Sequence, residues 1–171
     1  MPGTPGPYAA WVSWLEAFGR GEDLPGTHLP PISEDMGPHM QERLLRHVSE
    51  AFHSRQRRWS AAVQRDRQLL LVDPARAATA LAVLMHNAKN LLGPLREFTE
   101  HPRFPPELRK SLRVALRDSV TSAQRSLEDS TREAPAELRA AVRTNSLVPA
   151  LTRPRAVTPK PGGAPGRRVI L

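Results

Sequence analysis

The sequence predicts an all-α protein: an antiparallel three-helix bundle of long helices, with a short amphipathic helix before it, a short helix after it and a disordered basic tail. Three observations carry that expectation. Between residues 38 and 145 apolar side chains recur every three or four positions, the period of one helix face, and never alternate as a strand would. No Asn-Gly or Asp-Gly pair marks a hairpin turn. The 18 prolines gather at the two ends and at the breaks between periodic stretches. A chain of 171 residues, 39% hydrophobic and 25% charged, supports one domain of modest core with tails. The division it suggests is a helix and acidic Pro/Gly-rich loop over 1–37, a bundle over 38–145 and a tail over 146–171.

The elements follow in order. Residues 8–18 place Tyr8, Trp11, Leu15 and Phe18 at steps of three and four, with Trp14 beside them. Pro7 suits the first turn and Gly19 the exit. Residues 19–37 read as a loop. Residues 38–71 carry Met40, Leu44, Val48, Phe52, Trp59 and Val63 on one stripe. Asp73-Pro74 is an N-cap followed by proline at the first helical position, so a second long helix starts there. Its expected core is Leu81, Leu84, Ala88, Leu91, Leu95 and Phe98, widened by Met85 and Leu92, with a kink at Pro94. Pro105-Pro106-Glu107 opens a third, with Leu108, Leu112, Leu116, Val120, Ala123 and Leu127 inward. Pro135 starts a short helix to about Asn145. From Thr152 onward Pro, Gly and Arg dominate, a composition that cannot offset the entropy of ordering. Because the first long helix is longer than its partners, apolar surface near Leu69, Leu70 and Leu71 or near Met40 is left for the aromatic helix or a second copy of the chain to cover.

Charge narrows the function. The formal net charge is +8, with an acidic head, a basic first long helix and a basic tail. The 22 arginines against 3 lysines point to a GC-rich bacterial genome, since arginine codons are GC-rich. Cysteine is absent, which excludes disulfides, thiolate metal sites and a cysteine nucleophile. No apolar run is long enough for a membrane span, and the opening MPGTPGPYAAW lacks the pattern of a secretion signal, so a cytoplasmic protein with no membrane partner is expected.

Catalytic and cofactor motifs are missing: no Walker loop, no G-x-G-x-x-G, no G-x-S-x-G and no H-E-x-x-H. Neither a cofactor nor a metal is expected. Glu50 and His53 form one E-x-x-H, but a di-iron bundle needs two. His86, with Lys89 and Asn90, sits on the outward side of the second long helix. The stretch resembles the H-x-x-K of histidine phosphotransfer domains, which implies a phosphoacceptor role for His86; it departs from them in carrying Asn90 where glycine is usual. The plainer reading is an exposed histidine. Arg55, Arg58 and Arg65 approximate one face of the first long helix and could follow a phosphate backbone.

The ends carry most of the material suited to binding. Tyr8, Trp11, Trp14, Leu15 and Phe18 are more apolar surface than a free helix should expose. Val169, Ile170 and Leu171 end the chain behind Arg167 and Arg168, a segment able to add to a partner's sheet edge. The expectation is therefore a non-enzymatic interaction or adaptor protein that binds a protein partner, or a second copy of itself, through its terminal segments. A basic nucleic-acid-associated protein is the alternative, and a phosphohistidine carrier a further one.

Overall fold

In the computed structural model the described residues are 6–22, 32 and 36–152. They form five α-helices: α1 Pro7–Gly19, α2 Gly37–Val72, α3 Ala77–Thr99, α4 Pro106–Ser130 and α5 Ala136–Thr144. Short 3₁₀ turns at Pro74–Arg76 and Val148–Leu151 complete them, and no strand occurs among the described residues. No single described helix is long and apolar enough to cross a membrane.

Local chemistry sets the boundaries. Asp73 accepts from the Ala75 amide at 3.0 Å, the N-cap expected there, and the 3₁₀ turn leads directly into α3. The direction of the chain turns by 116° between α2 and the segment Pro74–Thr99. This pair therefore crosses obliquely, short of the 180° of strict antiparallel alignment. α3 runs unbroken through Pro94, with no loop at 92–95. The carbonyl of Asn90, deprived of its helical partner by the proline, belongs to an exposed residue that water reaches. α1 ends at Gly19, the exit expected from the sequence. Gly21, at φ +87°, takes the left-handed position of a Schellman motif, with the Glu22 amide bonded to the Ala17 carbonyl and the Gly21 amide to that of Phe18.

The core is a single cluster reaching from Trp11 to Leu147. Leu44, Val48, Phe52, Trp59 and Val63 of α2 are buried, as are Leu112, Leu116, Val120 and Leu127 of α4. Two expected core residues are exposed, Met40 at 42% and Leu91 at 45%. The buried face of α2 begins at Leu44, so Met40 lies on the overhanging end. On α3 the inward line passes through Ala88, Leu92 and Leu95, and Leu91 lies about 100° around the helix from Leu92. Leu108 is half-buried.

Polar stitches hold the long helices together. Trp59 Nε1 donates to the Ala88 carbonyl at 3.0 Å, joining α2 to α3. Gln56 Nε2 donates to the Ala115 carbonyl at 3.0 Å and to the Ser119 hydroxyl, joining α2 to α4. Arg67 Nη1 reaches the hydroxyls of Ser126 at 2.6 Å and Ser130 at 3.0 Å.

Residues 146–152, assigned above to a disordered tail, are packed. Leu147 is fully buried and its amide donates to Gln124 Oε1 at 3.0 Å, while Arg96 Nη1 donates to the Ala150 carbonyl at 2.9 Å. One deeply buried leucine and two stitches suffice to order this short stretch. The rest of the basic tail, 153–171, lies outside the described residues.

Trp59 fills the α2–α3 seam, so Trp59→Ala should lower stability by about 3–5 kcal/mol. Trp59→Phe, which loses the hydrogen bond and part of the ring volume but keeps an aromatic ring in the seam, should cost less, about 1–3 kcal/mol. Urea unfolding of the two variants checks the order.

Candidate functional site

α1 lies on the core. Trp11, Leu15 and Phe18 are buried, and Tyr8 and Trp14 are half-buried against the same cluster. The Phe98 ring of α3 is the hub: it stacks on Phe18 at 4.1 Å and on Trp14 at 5.8 Å, and meets Phe104 edge-on at 5.0 Å. These five aromatic and apolar residues are thus largely taken up within the chain and do not form a free docking face. The helix repeats its apolar residues at three and four because it has this intramolecular seat. Phe104, alone among prolines in the α3–α4 link, carried no periodic signal and is nonetheless 2% exposed.

Arg55 seals α1 from the α2 side. It is 5% exposed, donates from Nη1 to the carbonyls of Phe18 at 3.3 Å and Glu22 at 3.0 Å, and lies 4.5 Å from the Phe18 ring centroid. A guanidinium at a helix C-terminus satisfies orphaned carbonyls and meets the negative end of the dipole. The arginine face expected for phosphate contact is consequently broken. Arg55 points inward, Arg58 is exposed, and Arg65 is exposed beside Asp66, its Nε 3.4 Å from that carboxylate. A residue type alone does not say whether its long stem leads to water or to a helix end.

His86 is exposed, as its position on α3 predicts. Asn90 Nδ2 donates to its Nε2 at 2.9 Å, and Lys89 is half-buried. Glu50 lies 3.3 Å from His47, and His53 bonds Gln56, so the E-x-x-H pair is drawn apart into separate contacts. No group of three or more potential metal ligands occurs among the described residues. Val169, Ile170 and Leu171 lie outside the described residues.

Two of the clefts among the described residues lie at opposite ends of α3. The larger, about 730 Å³, lies between the end of α2, the first turns of α3 and the α4–α5 link. Leu70, Leu71, Ala78, Leu81, Leu138 and Ala141 give it an apolar floor, and Glu133 and Glu137 stand on its rim. Of its lining residues Leu71 is 60% exposed, and the nearby Leu69 and Val72 at the end of α2 are 59% and 78% exposed. α1 does not cover this overhang because its aromatic seat is at the other end of α3. The smaller cleft, about 330 Å³, lies where the last turn of α3, the first half of α4 and Val148–Thr152 meet, and is lined by Arg96, Lys110, Arg113 and Arg117.

Among the described residues His101 is the group whose titration is clearly displaced. Half-buried against Trp11 at 5.7 Å and Phe104 at 4.9 Å, it is held below its ordinary value, first by desolvation and then by the Arg103 charge. Its Nδ1 accepts from the Arg103 amide at 3.2 Å, which favours the neutral ring.

Two outcomes are expected. Arg55→Ala should speed amide exchange in α1 relative to α3 and lower stability by about 1.5–3 kcal/mol, the range for hydrogen bonds to a charged group. A lowered His101 value means the unfolded chain binds the proton more tightly, so this residue's contribution is complete above about pH 6.5 and is lost as pH falls through the folded value. Urea midpoints at pH 7.5 and 5.0 should therefore differ more in the wild type than in His101→Phe. No family model matches the chain, and no curated protein and no solved structure matches it.

Proposed function

We propose that the chain is a non-enzymatic helical interaction protein that binds another protein at the apolar cleft between α2, α3 and the α4–α5 link. The observation that carries this reading is the cleft itself: about 730 Å³ with an apolar lining that includes the exposed Leu71, whose neighbours along the chain, Leu69 and Val72, are exposed as well. A contiguous apolar surface of this kind marks an interaction site. The carboxylates of Glu133 and Glu137 on the rim suit an amphipathic segment that carries Lys or Arg beside its apolar face. The three long helices, packed as a bundle through short links, act as the scaffold. The terminal tip Val169-Ile170-Leu171 is a second contact in this proposal, and the bacterial cytoplasm its expected setting.

Phosphotransfer through His86 is less well supported. Its Nε2 is occupied by Asn90.

The test compares cross-linked partners recovered from the source cell by the wild type, by Leu71→Glu/Ala78→Glu and by Ser122→Glu. All three positions are exposed, so the fold should survive. A protein retained by the wild type and by Ser122→Glu but lost from the cleft variant is the expected result. Equal retention by all three, or none by any, overturns the reading. Sedimentation of the purified chain shows whether the occupant is a second copy.

A further inference from the structure

The two ends of α3 are alike in apolar character and opposite in charge. At the smaller cleft Val114, Leu116, Val148 and Leu151 give an apolar lining, and Val114 and Val148 are 43% and 40% exposed. Lys110, Arg113, Val114 and Arg117 fall within an arc of about 100° on α4, so the exposed valine stands among cations. Arg113 is 3.5 Å from Glu100, while Lys110 and Arg117 are exposed and make no ion pair with another described residue. At the larger cleft the exposed Leu71 lies between Leu69 and Val72 at the end of α2, and Glu133 and Glu137 on the rim are exposed and likewise make no ion pair with a described residue. The cations near that end are taken up locally: Arg76 lies 3.6 Å from Asp73, Arg132 lies 2.6 Å from Asp129, and Arg139 donates to the Arg132 carbonyl. The two glutamates therefore set its sign.

We infer that the partner at the larger cleft is a second copy of this chain, bound head to tail. The overhang of one copy, Leu71 and Val72 with Glu133 and Glu137, seats against the Val114 and Val148 face of the next, where Lys110 and Arg117 meet its carboxylates. The inference rests on the reading of the larger cleft as a protein-binding site and names the occupant. The first half of α4 is the kind of segment that reading asks for, an exposed helix face with an apolar residue among Lys and Arg. Charge selects the arrangement. Pairing of like ends about a two-fold axis would set Glu133 and Glu137 against their own copies, or the α4 cations against theirs, and like charges facing across an interface oppose it. The 23 residues of α3 hold the two ends about 34 Å apart, so one copy cannot satisfy its own surfaces. Contact between unlike ends leaves one end of each sign free on every pair, and assembly continues past two copies.

The experiment is sedimentation velocity on the purified full chain from micromolar to near-millimolar concentration. At the upper end the wild type should exceed twice its monomer mass of 19.0 kDa. Lys110→Gln/Arg113→Gln/Arg117→Gln removes the cations of one end, and Glu133→Lys/Glu137→Lys reverses the charge of the other. Each variant alone should stay at 19.0 kDa, and circular dichroism should show both as helical as the parent. An equimolar mixture of the two should give a species of twice that mass and no larger, because one intact end of each kind remains. A wild type that levels off at two copies, a variant that associates as the wild type does, or a mixture that stays monomeric overturns the head-to-tail contact. So does a monomeric wild type. In that case a different protein from the source cell, retained by the wild type and lost from Leu71→Glu/Ala78→Glu, leaves the reading of the cleft standing, whereas a monomer that retains no such protein removes both.

Discussion

The fold depends on the burial of Phe98. This ring, at the end of α3, stacks on Phe18 of α1 at 4.1 Å, lies 6.2 Å from Phe52 of α2 and meets Phe104 of the α3–α4 link at 5.0 Å. Four parts of the chain thus converge on one aromatic side chain. Each large apolar residue removed from water there contributes about 1.5–3 kcal/mol, and aromatic pairs add to that. α1 is a helix of 13 residues, too short to persist alone in water, and it is this seat that orders it.

Around the hub, long polar side chains turn inward to satisfy backbone groups that helix ends and seams leave open. Arg55 takes the last carbonyls of α1, and Arg96 takes that of Ala150. Gln124 is 6% exposed, accepts from the Leu147 amide and donates to Glu128, and so pins the C-terminal turn against α4. A buried amide or carbonyl without a partner costs about 1–3 kcal/mol, so these residues are structural in effect although polar in type. They also redistribute the positive charge. Arginines spent on carbonyls are withdrawn from any ligand, while Arg57 and Arg58 of α2 and Lys110 and Arg117 of α4 stay exposed.

The placement of α1 decides where binding surface remains. Seated at the Phe98 end of α3, it leaves the far end of α2 uncovered, where Leu69, Leu71 and Val72 stand at 59–78% exposure. The packed turn at Val148–Leu151 brings the start of the basic tail to the first half of α4. The apolar cleft and the basic cleft therefore occupy opposite ends of α3, and each can be altered without touching the other.

The sequence by itself determined the helices. Period, proline positions and the Asp73 cap located all five, four of them starting within a residue of the expected position and α3 three residues later behind a 3₁₀ turn, because those signals act over one or two turns of backbone. It also determined most of the core, including Trp59, Leu84 and Leu127, and the apolar overhang at Leu69 and Leu71. The candidate sites were less legible. The sequence assigns Tyr8, Trp11, Trp14, Leu15 and Phe18 to partner binding, although folding back on the bundle is the plainer reading, since amphipathicity says that a face is covered and not by what. Arg55 and Arg65 looked alike, yet one is buried and the other exposed, because the direction of a flexible stem is settled by which carbonyl lies within reach. Phe104 and Leu147, isolated apolar residues between prolines and polar neighbours, gave no period at all. Only the tertiary structure decided these, because each is fixed by a neighbour distant in sequence: α1 by Phe98, Arg55 by the end of α1, and Leu147 by Gln124.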